Sequence, residues 1–251
     1  IAEASGEPTA SVTMRTPTGA AEDAELALGF LFGEGVIRGR DDVVEIEQRE
    51  PNVIVVTLGA EVRVAWRGLS RSVYTTSACG LCGKSAIEAL AATPAEPLRP
   101  ATEDGRVEAA LLHRLPETLR AAQTAFSATG GLHAAGLFDK NGALLLCRED
   151  VGRHNAVDKL IGACLVENQG RGKTLTLHDT ILCVSGRASF ELVQKARMAC
   201  VPIFVAVGAP SSLAVTLCRE ASLTLVGFTR NGRYNVYSAP ERLALRPASR
   251  E

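Results

Sequence analysis

Between residues 132 and 238 the chain switches repeatedly between short apolar runs and helical stretches, with few residues at each switch. This alternation restricts the fold more than any other feature. Residues 132–138 and 143–147 flank Asp139-Lys-Asn-Gly142 and read as a hairpin, because Asn-Gly supplies the positive φ such a turn needs. A helix is expected over Arg153–Glu167, then a buried strand at 181–184, a helix at 188–199 and a strand at 202–207. A helix at 211–221 and strands at 223–228 and 234–238 complete the run. Short connections between alternating β and α elements predict an α/β sheet covered by helices. Before it, residues 106–126 read as helical, with Pro116 in the first turn of a second helix and Gly130-Gly131 as the stop.

The N-terminal part reads differently. Residues 11–15 alternate like a half-buried strand. Leu26, Phe30 and Leu31 lie at helical spacing over 23–32, and Gly33 and Gly35 end that helix. Strands are expected at 43–47, 53–58 and 61–66, the last alternating through Val62, Val64 and Trp66. A strand at 71–76, a glycine-rich loop at 77–83 and a helix at 84–92 follow. Pro94, Pro97 and Pro100 then make an extended connector. The expected organisation is a strand-rich region over 1–100 and an α/β domain over 101–251. The tail after Pro240 carries little signal.

Charge narrows the function classes. There are 27 Lys and Arg against 28 Asp and Glu, a net charge of −1. Bulk binding to nucleic acid or a membrane surface would want a basic excess. No apolar run approaches the ~18 residues of a membrane-spanning helix, and no signal-peptide pattern opens the sequence. Seven cysteines cannot all pair internally. A reducing, cytoplasmic setting with unpaired thiols is expected.

Two of those thiols stand apart. Cys79-Gly-Leu-Cys82 immediately precedes the expected helix, whose N-terminus stabilises a thiolate. Lys84 and Arg71 add positive charge, and Gly80 and Gly83 remove bulk. Three chemistries fit this loop: a thiol that carries a group, half of a structural zinc site, and a dithiol–disulfide centre. The remaining cysteines, at 147, 164, 183, 200 and 218, sit singly in apolar elements and read as core.

Several loops at expected strand ends share another chemistry. They are Gly130-Gly-Leu-His133, Arg148-Glu-Asp-Val-Gly-Arg-His-Asn155, Ser185-Gly186-Arg187, Ala209-Pro-Ser211-Ser212, and the segment Phe228, Thr229, Arg230, Asn231, Gly232 and Arg233. In open α/β sheets ligands bind beyond the carboxyl ends of strands, where helix N-termini point. Exposed N–H groups, hydroxyls and Arg forks there suit phosphate oxygens. A phosphorylated or nucleotide ligand is expected, with His154 among the candidate contacts. No Walker loop or Gly-x-Gly-x-x-Gly turn is present. Zinc deaminase chemistry is absent too: Ala134 and Ala135 follow His133, and no Pro-Cys-x-x-Cys follows.

These motifs, in this order, resemble the formate dehydrogenase accessory sulfurtransferase family. The carriers are Cys79-Gly-Leu-Cys-Gly83, Gly130-Gly-Leu-His-Ala-Ala135, Arg148 to Ala156, Ser185-Gly-Arg-Ala-Ser189, Ala209 to Ala214, and Gly227-Phe-Thr-Arg230 with Asn235-Val-Tyr237. Val12-Thr-Met-Arg and Glu25-Leu-Ala-Leu-Gly-Phe extend the likeness, so it covers about residues 11–238. The resemblance implies a sulfur carrier that accepts sulfur from a cysteine desulfurase as a persulfide. The carrier passes it to the molybdenum or tungsten of a bis(guanine-dinucleotide) pterin cofactor destined for the formate dehydrogenase apoenzyme. By position, Cys79 would hold the persulfide and Cys82 would assist. The 228–233 segment would contact the guanine dinucleotide, with guanosine diphosphate as a ligand mimic. A cytidine deaminase-like C-terminal domain without zinc and a homodimer are also implied.

Overall fold

The computed structural model describes residues 11–14, 16, 20–63, 95–167 and 177–244. By compactness the chain forms two units, one of Ile1–Ala95 with Asp150–Leu175, the other of Glu96–Glu149 with Thr176–Glu251. Asp150–Leu175 therefore groups with the N-terminal part, a division that differs from a single α/β domain over 101–251.

The second unit is built on a six-stranded mixed sheet. Its strands are β4 (His133–Asp139), β5 (Leu144–Asp150), β6 (Thr180–Val184), β7 (Ile203–Ala206), β8 (Thr224–Arg230) and β9 (Arg233–Ser238), in the order β5-β4-β6-β7-β8-β9. β6, β7 and β8 run parallel, and β4 and β9 lie antiparallel on either side. Their sequences explain this. Thr-Ile-Leu-Cys-Val and Ile-Phe-Val-Ala carry apolar residues on both faces, as central parallel strands must. Both runs are buried almost throughout. The β4–β5 hairpin turns at Gly142, with φ +84°, and Asp139 Oδ1 accepts from the amides of Asn141 and Ala143.

Helices α2 (Leu115–Ala122), α3 (Thr124–Thr129), α5 (Phe190–Met198) and α6 (Ser212–Glu220) complete the unit. Pro116 lies in the first turn of α2, and Gly130 ends α3 in the left-handed conformation. Leu112, Leu115 and Leu119 pack with Phe138, Ile181, Val205 and Val226 in one core cluster. Short strands β3 (Val107–Glu108) and β10 (Leu243–Ala244) pair in parallel.

In the first unit, β1 (Val43–Glu50) and β2 (Val53–Leu58) form an antiparallel ribbon. Helix α1 (Ala20–Gly33) packs on α4 (Arg153–Glu167) through glycine at two places. α4 is buried continuously from Ala156 to Leu165, which fits a helix apolar on most sides. Asp150 and Lys159 are fully buried and paired at 3.0 Å, and Lys159 also reaches Glu22 at 2.9 Å. The strand expected at 11–15 is not formed over residues 11–14, and 61–63 are likewise outside any strand. Residues 11–14 do alternate between exposed and half-buried, but they join no ladder. The elements expected at 64–66 and 71–92 lie outside the described residues. Among the described residues, no helix is long and apolar enough to cross a membrane.

Candidate functional site

The parallel run of β6, β7 and β8 brings three of the expected loops to one end of the sheet. The loops are laced laterally by their backbones. Gly208 N–H donates to the Gly186 carbonyl at 2.9 Å, and Phe228 N–H donates to the Gly208 carbonyl at 3.1 Å. Ala188 N–H donates to Ala209, and Ser211 N–H donates to Ala188. A fourth loop joins them because β4 starts at this end: Ser185 N–H donates to the Ala134 carbonyl, and Ala134 N–H donates to Ser185 Oγ at 2.9 Å. This spacing requires glycine at 208, where a Cβ would lie 2.9 Å from Arg187 Cγ and 3.2 Å from the Gly186 oxygen.

Some of the expected contact residues are spent on this scaffold. Ser185 Oγ holds Ala134, and Ser211 caps α6 by accepting from the Ala214 amide at 3.2 Å. Thr229 is fully buried, with Oγ1 lacking a partner among the described residues, so it faces the interior. Strand alternation continues to the end of β8, leaving Phe228 and Arg230 exposed on either side of the buried Thr229, and a bulge lies between Gly227 and Arg230, with Phe228 at φ +54°.

The β8–β9 hairpin turns at Asn231 and Gly232, with φ +53° and +72°, as the Asn-Gly pair predicts. Around it lies a depression of about 590 Å³ lined by Phe228, Arg230, Asn231, Arg233, Tyr234 and Asn235. Arg230 stands directly opposite Arg233 across the ladder. Like charges in that position repel. Neither arginine, nor the exposed Arg187 beside the neighbouring loops, forms an ion pair among the described residues. The Tyr234 phenol is a hydrogen-bond donor at neutral pH, and burial pushes its pKa further up. The lining therefore holds two cationic forks, an aromatic face, amides and a phenol, with no carboxylate. That set suits an anionic ligand with a planar group. Tyr234 and Asn235 were absent from the sequence-based contact set. For Asn235 the usable signal is strand periodicity, since it lies two residues from Arg233 and shares its exposed face, whereas Tyr234 alternates toward the core side.

His154 belongs to the first unit, half-buried in the first turn of α4. Its turn is fixed by Asp150, whose Oδ1 accepts from Gly152 N–H at 2.8 Å and Asn155 Nδ2 at 3.1 Å. Thr16 Oγ1 donates to Oδ2 of the same carboxylate. The turn that carries His154 thus hangs on one saturated buried carboxylate.

Cys79 and Cys82, with Arg71 and Lys84, lie outside the described residues. The other five cysteines behave as core. Cys164, Cys183, Cys200 and Cys218 are buried and Cys147 is half-buried. Burial pushes the Cys147 thiol to about 11 and Cys218 to about 12, and raises Cys183 and Cys200 as well. At neutral pH such thiols are protonated and poorly nucleophilic.

The FdhD/NarQ family pattern matches residues 5–244. A sulfur carrier protein FdhD from Streptomyces coelicolor is 48% identical over 252 residues, spanning 97% of this chain and 86% of that relative. Another from Nocardia farcinica is 51% identical over 242 residues, spanning 93% and 82% respectively. Among solved structures, one described as a formate dehydrogenase accessory protein from Desulfotalea psychrophila matches with a TM-score of 0.65 at 26% identity. That match covers 88% of this chain and 80% of the other. With its motifs in this order and relatives of this similarity along nearly its whole length, the chain belongs to the FdhD/NarQ family.

Proposed function

We propose that this protein is a sulfur carrier serving formate dehydrogenase, with Cys79 as the carrying thiol and the β8–β9 depression as its cofactor contact. Cys79 attacks the outer sulfur of a cysteine desulfurase persulfide. The S–S bond of the donor breaks, its cysteine leaves as thiolate, and Cys79 becomes the persulfide. The acceptor is the molybdenum or tungsten of a bis(guanine-dinucleotide) pterin cofactor, a soft centre suited to sulfur. Attack of Cys82 on the inner sulfur of that persulfide would release sulfide to the metal and leave a Cys79–Cys82 disulfide. A thiol reductant then resets the pair.

The observation that supports this reading most is the pair Arg230 and Arg233, opposed across the hairpin without an acidic partner among the described residues. A pyrophosphate between them would relieve their repulsion, and Phe228 offers a face for a base. Loops at the carboxyl ends of β6, β7 and β8 would take the rest of the dinucleotide. The carrier is expected to work as a homodimer in the cytoplasm.

Two measurements test this. After incubation with a cysteine desulfurase, cysteine and pyridoxal phosphate, intact mass should rise by one sulfur, and Cys79→Ser should abolish the gain. Stoichiometric zinc without sulfur uptake would instead make the pair a metal clip, and insulin reduction would make it an oxidoreductase. Guanosine diphosphate should raise the melting temperature, and Arg230→Ala and Arg233→Ala should each reduce that rise. Full protection in both variants would remove the hairpin from the site.

A further inference from the structure

Arg187, in the loop after β6, is a cation held at its stem and unengaged at its head. The residue is exposed and makes neither an ion pair nor a side-chain hydrogen bond among the described residues. Its stem is packed. A Cβ built on Gly208 would lie 2.9 Å from Arg187 Cγ and 3.2 Å from Arg187 Cα, so the stem occupies the space a side chain at 208 would take. Gly208 belongs to the loop after β7, the strand between β6 and β8. Its N–H donates to Gly186 toward β6, and its carbonyl accepts from Phe228 N–H at 3.1 Å toward β8. Gly227 lets β8 come this close, since a Cβ there would lie 3.0 Å from Pro210 Cδ and 3.3 Å from the Gly208 oxygen. Arg187 thus reaches over Gly208 from the β6 side, and Phe228, which lines the depression, is bonded to the same residue from the β8 side.

Neighbouring backbones lie about 4.8 Å apart in that direction, well within an arginine's reach. A long surface side chain normally keeps much of its rotamer freedom, which a ligand must then restrict. Packing the stem on Gly208 removes part of that freedom in advance, so less ordering is left for binding. The Arg230–Arg233 pair meets one end of a pyrophosphate, and the other phosphate needs donors of its own, which a second guanidinium fork beside Phe228 supplies. We propose that Arg187 selects a nucleoside diphosphate over a monophosphate at this site, with Gly208 as its positioning residue. The inference deepens the reading of the β8–β9 depression as a guanine-dinucleotide contact and rests on it.

Calorimetric titration with guanosine diphosphate and guanosine monophosphate tests this on wild type, Arg187→Met, Gly208→Ala and the double variant. Wild type should bind the diphosphate about tenfold more tightly than the monophosphate, as one charge-assisted fork at an exposed site allows. Arg187→Met keeps the stem and removes the fork. It should weaken the diphosphate about tenfold, leave the monophosphate unchanged and erase the preference. Gly208→Ala should do the same with the fork still present, and the double variant should be no worse than either single one. A preference that survives in Arg187→Met, or single effects that multiply in the double variant, would overturn the proposal. Equal loss of both nucleotides in Gly208→Ala would overturn the positioning role, while Arg187→Met, which alters no backbone contact, still decides the selectivity. If wild type binds both nucleotides equally, this proposal alone fails; if it binds neither, the reading of the depression fails with it.

Discussion

Helices α1 and α4 meet through two reciprocal glycine contacts, and replacing one of them should be costly. A Cβ built on Gly162 would lie 1.8 Å from the Glu25 carbonyl oxygen and 2.6 Å from its carbon. One built on Gly29 would lie 1.8 Å from the Asp158 oxygen. Carbon and oxygen tolerate approach to about 3.3 Å. The helices would have to separate by roughly 1.5 Å, and neither obstacle is a side chain that can rotate away. A gap of 0.5–1 Å already forfeits about a quarter to a half of each contact along the interface. Overpacking costs about 1–3 kcal/mol and more against rigid backbone, while alanine regains about 1 kcal/mol of helix propensity. Gly162→Ala should therefore lose about 2–3 kcal/mol, which for a chain of this size lowers Tm by roughly 5–10 °C. Gly29→Ala should do the same. Because one separation relieves both clashes, the double variant should lose clearly less than the sum. Urea and thermal unfolding of the three variants measure this. A Tm that holds or rises in Gly162→Ala would mean the helices are not in backbone contact, and additive losses would refute the shared separation.

Two further outcomes follow from buried titratable groups. Burial pulls the Lys159 ammonium down, but its bonds to Glu22 and Asp150 and their charges outweigh this and hold it above its ordinary 10.5. Its contribution to stability is complete below the ordinary value and is lost as pH rises through the folded one. The urea midpoint gap between wild type and Lys159→Met should thus be constant from neutral pH to about 10 and shrink above that; a gap that widens with alkali contradicts the pairing. For the thiols, iodoacetamide at neutral pH should leave Cys183, Cys200 and Cys218 unlabelled in folded protein and label them after unfolding. Rapid native labelling of any of the three would show that its element opens readily.

Where both periodicity and end signals agreed, the sequence was legible. The expected α4 has the observed bounds, and β6 to β9 fall within a few residues of expectation, because two-sided apolar runs and a single Asn-Gly turn admit few arrangements. Residues 11–14 misled because alternation reports a two-sided environment, which an unpaired extended chain also has. Thr229 reads as a loop hydroxyl between two functional residues, but β8 runs on to Arg230 and its alternation turns Thr229 inward with Leu225 and Gly227. Gly29 and Gly162 look like tolerated helix interruptions, since closeness to a helix more than a hundred residues away is a tertiary fact.

The interleaving of the two units has a consequence for synthesis. α1 ends at Gly33, and the helix whose backbone it touches begins at Arg153. At about 5–20 residues per second, the ribosome takes roughly 6–24 s to make the intervening stretch. Through that interval Leu26, Leu28, Leu31 and Phe32, all buried in the finished fold, have no α4 to cover them. The second unit cannot close earlier, since β6 to β9 emerge later still. The nascent chain thus spends its growth with an apolar helix exposed, and the demand for chaperone cover is set by the order of the elements along the gene.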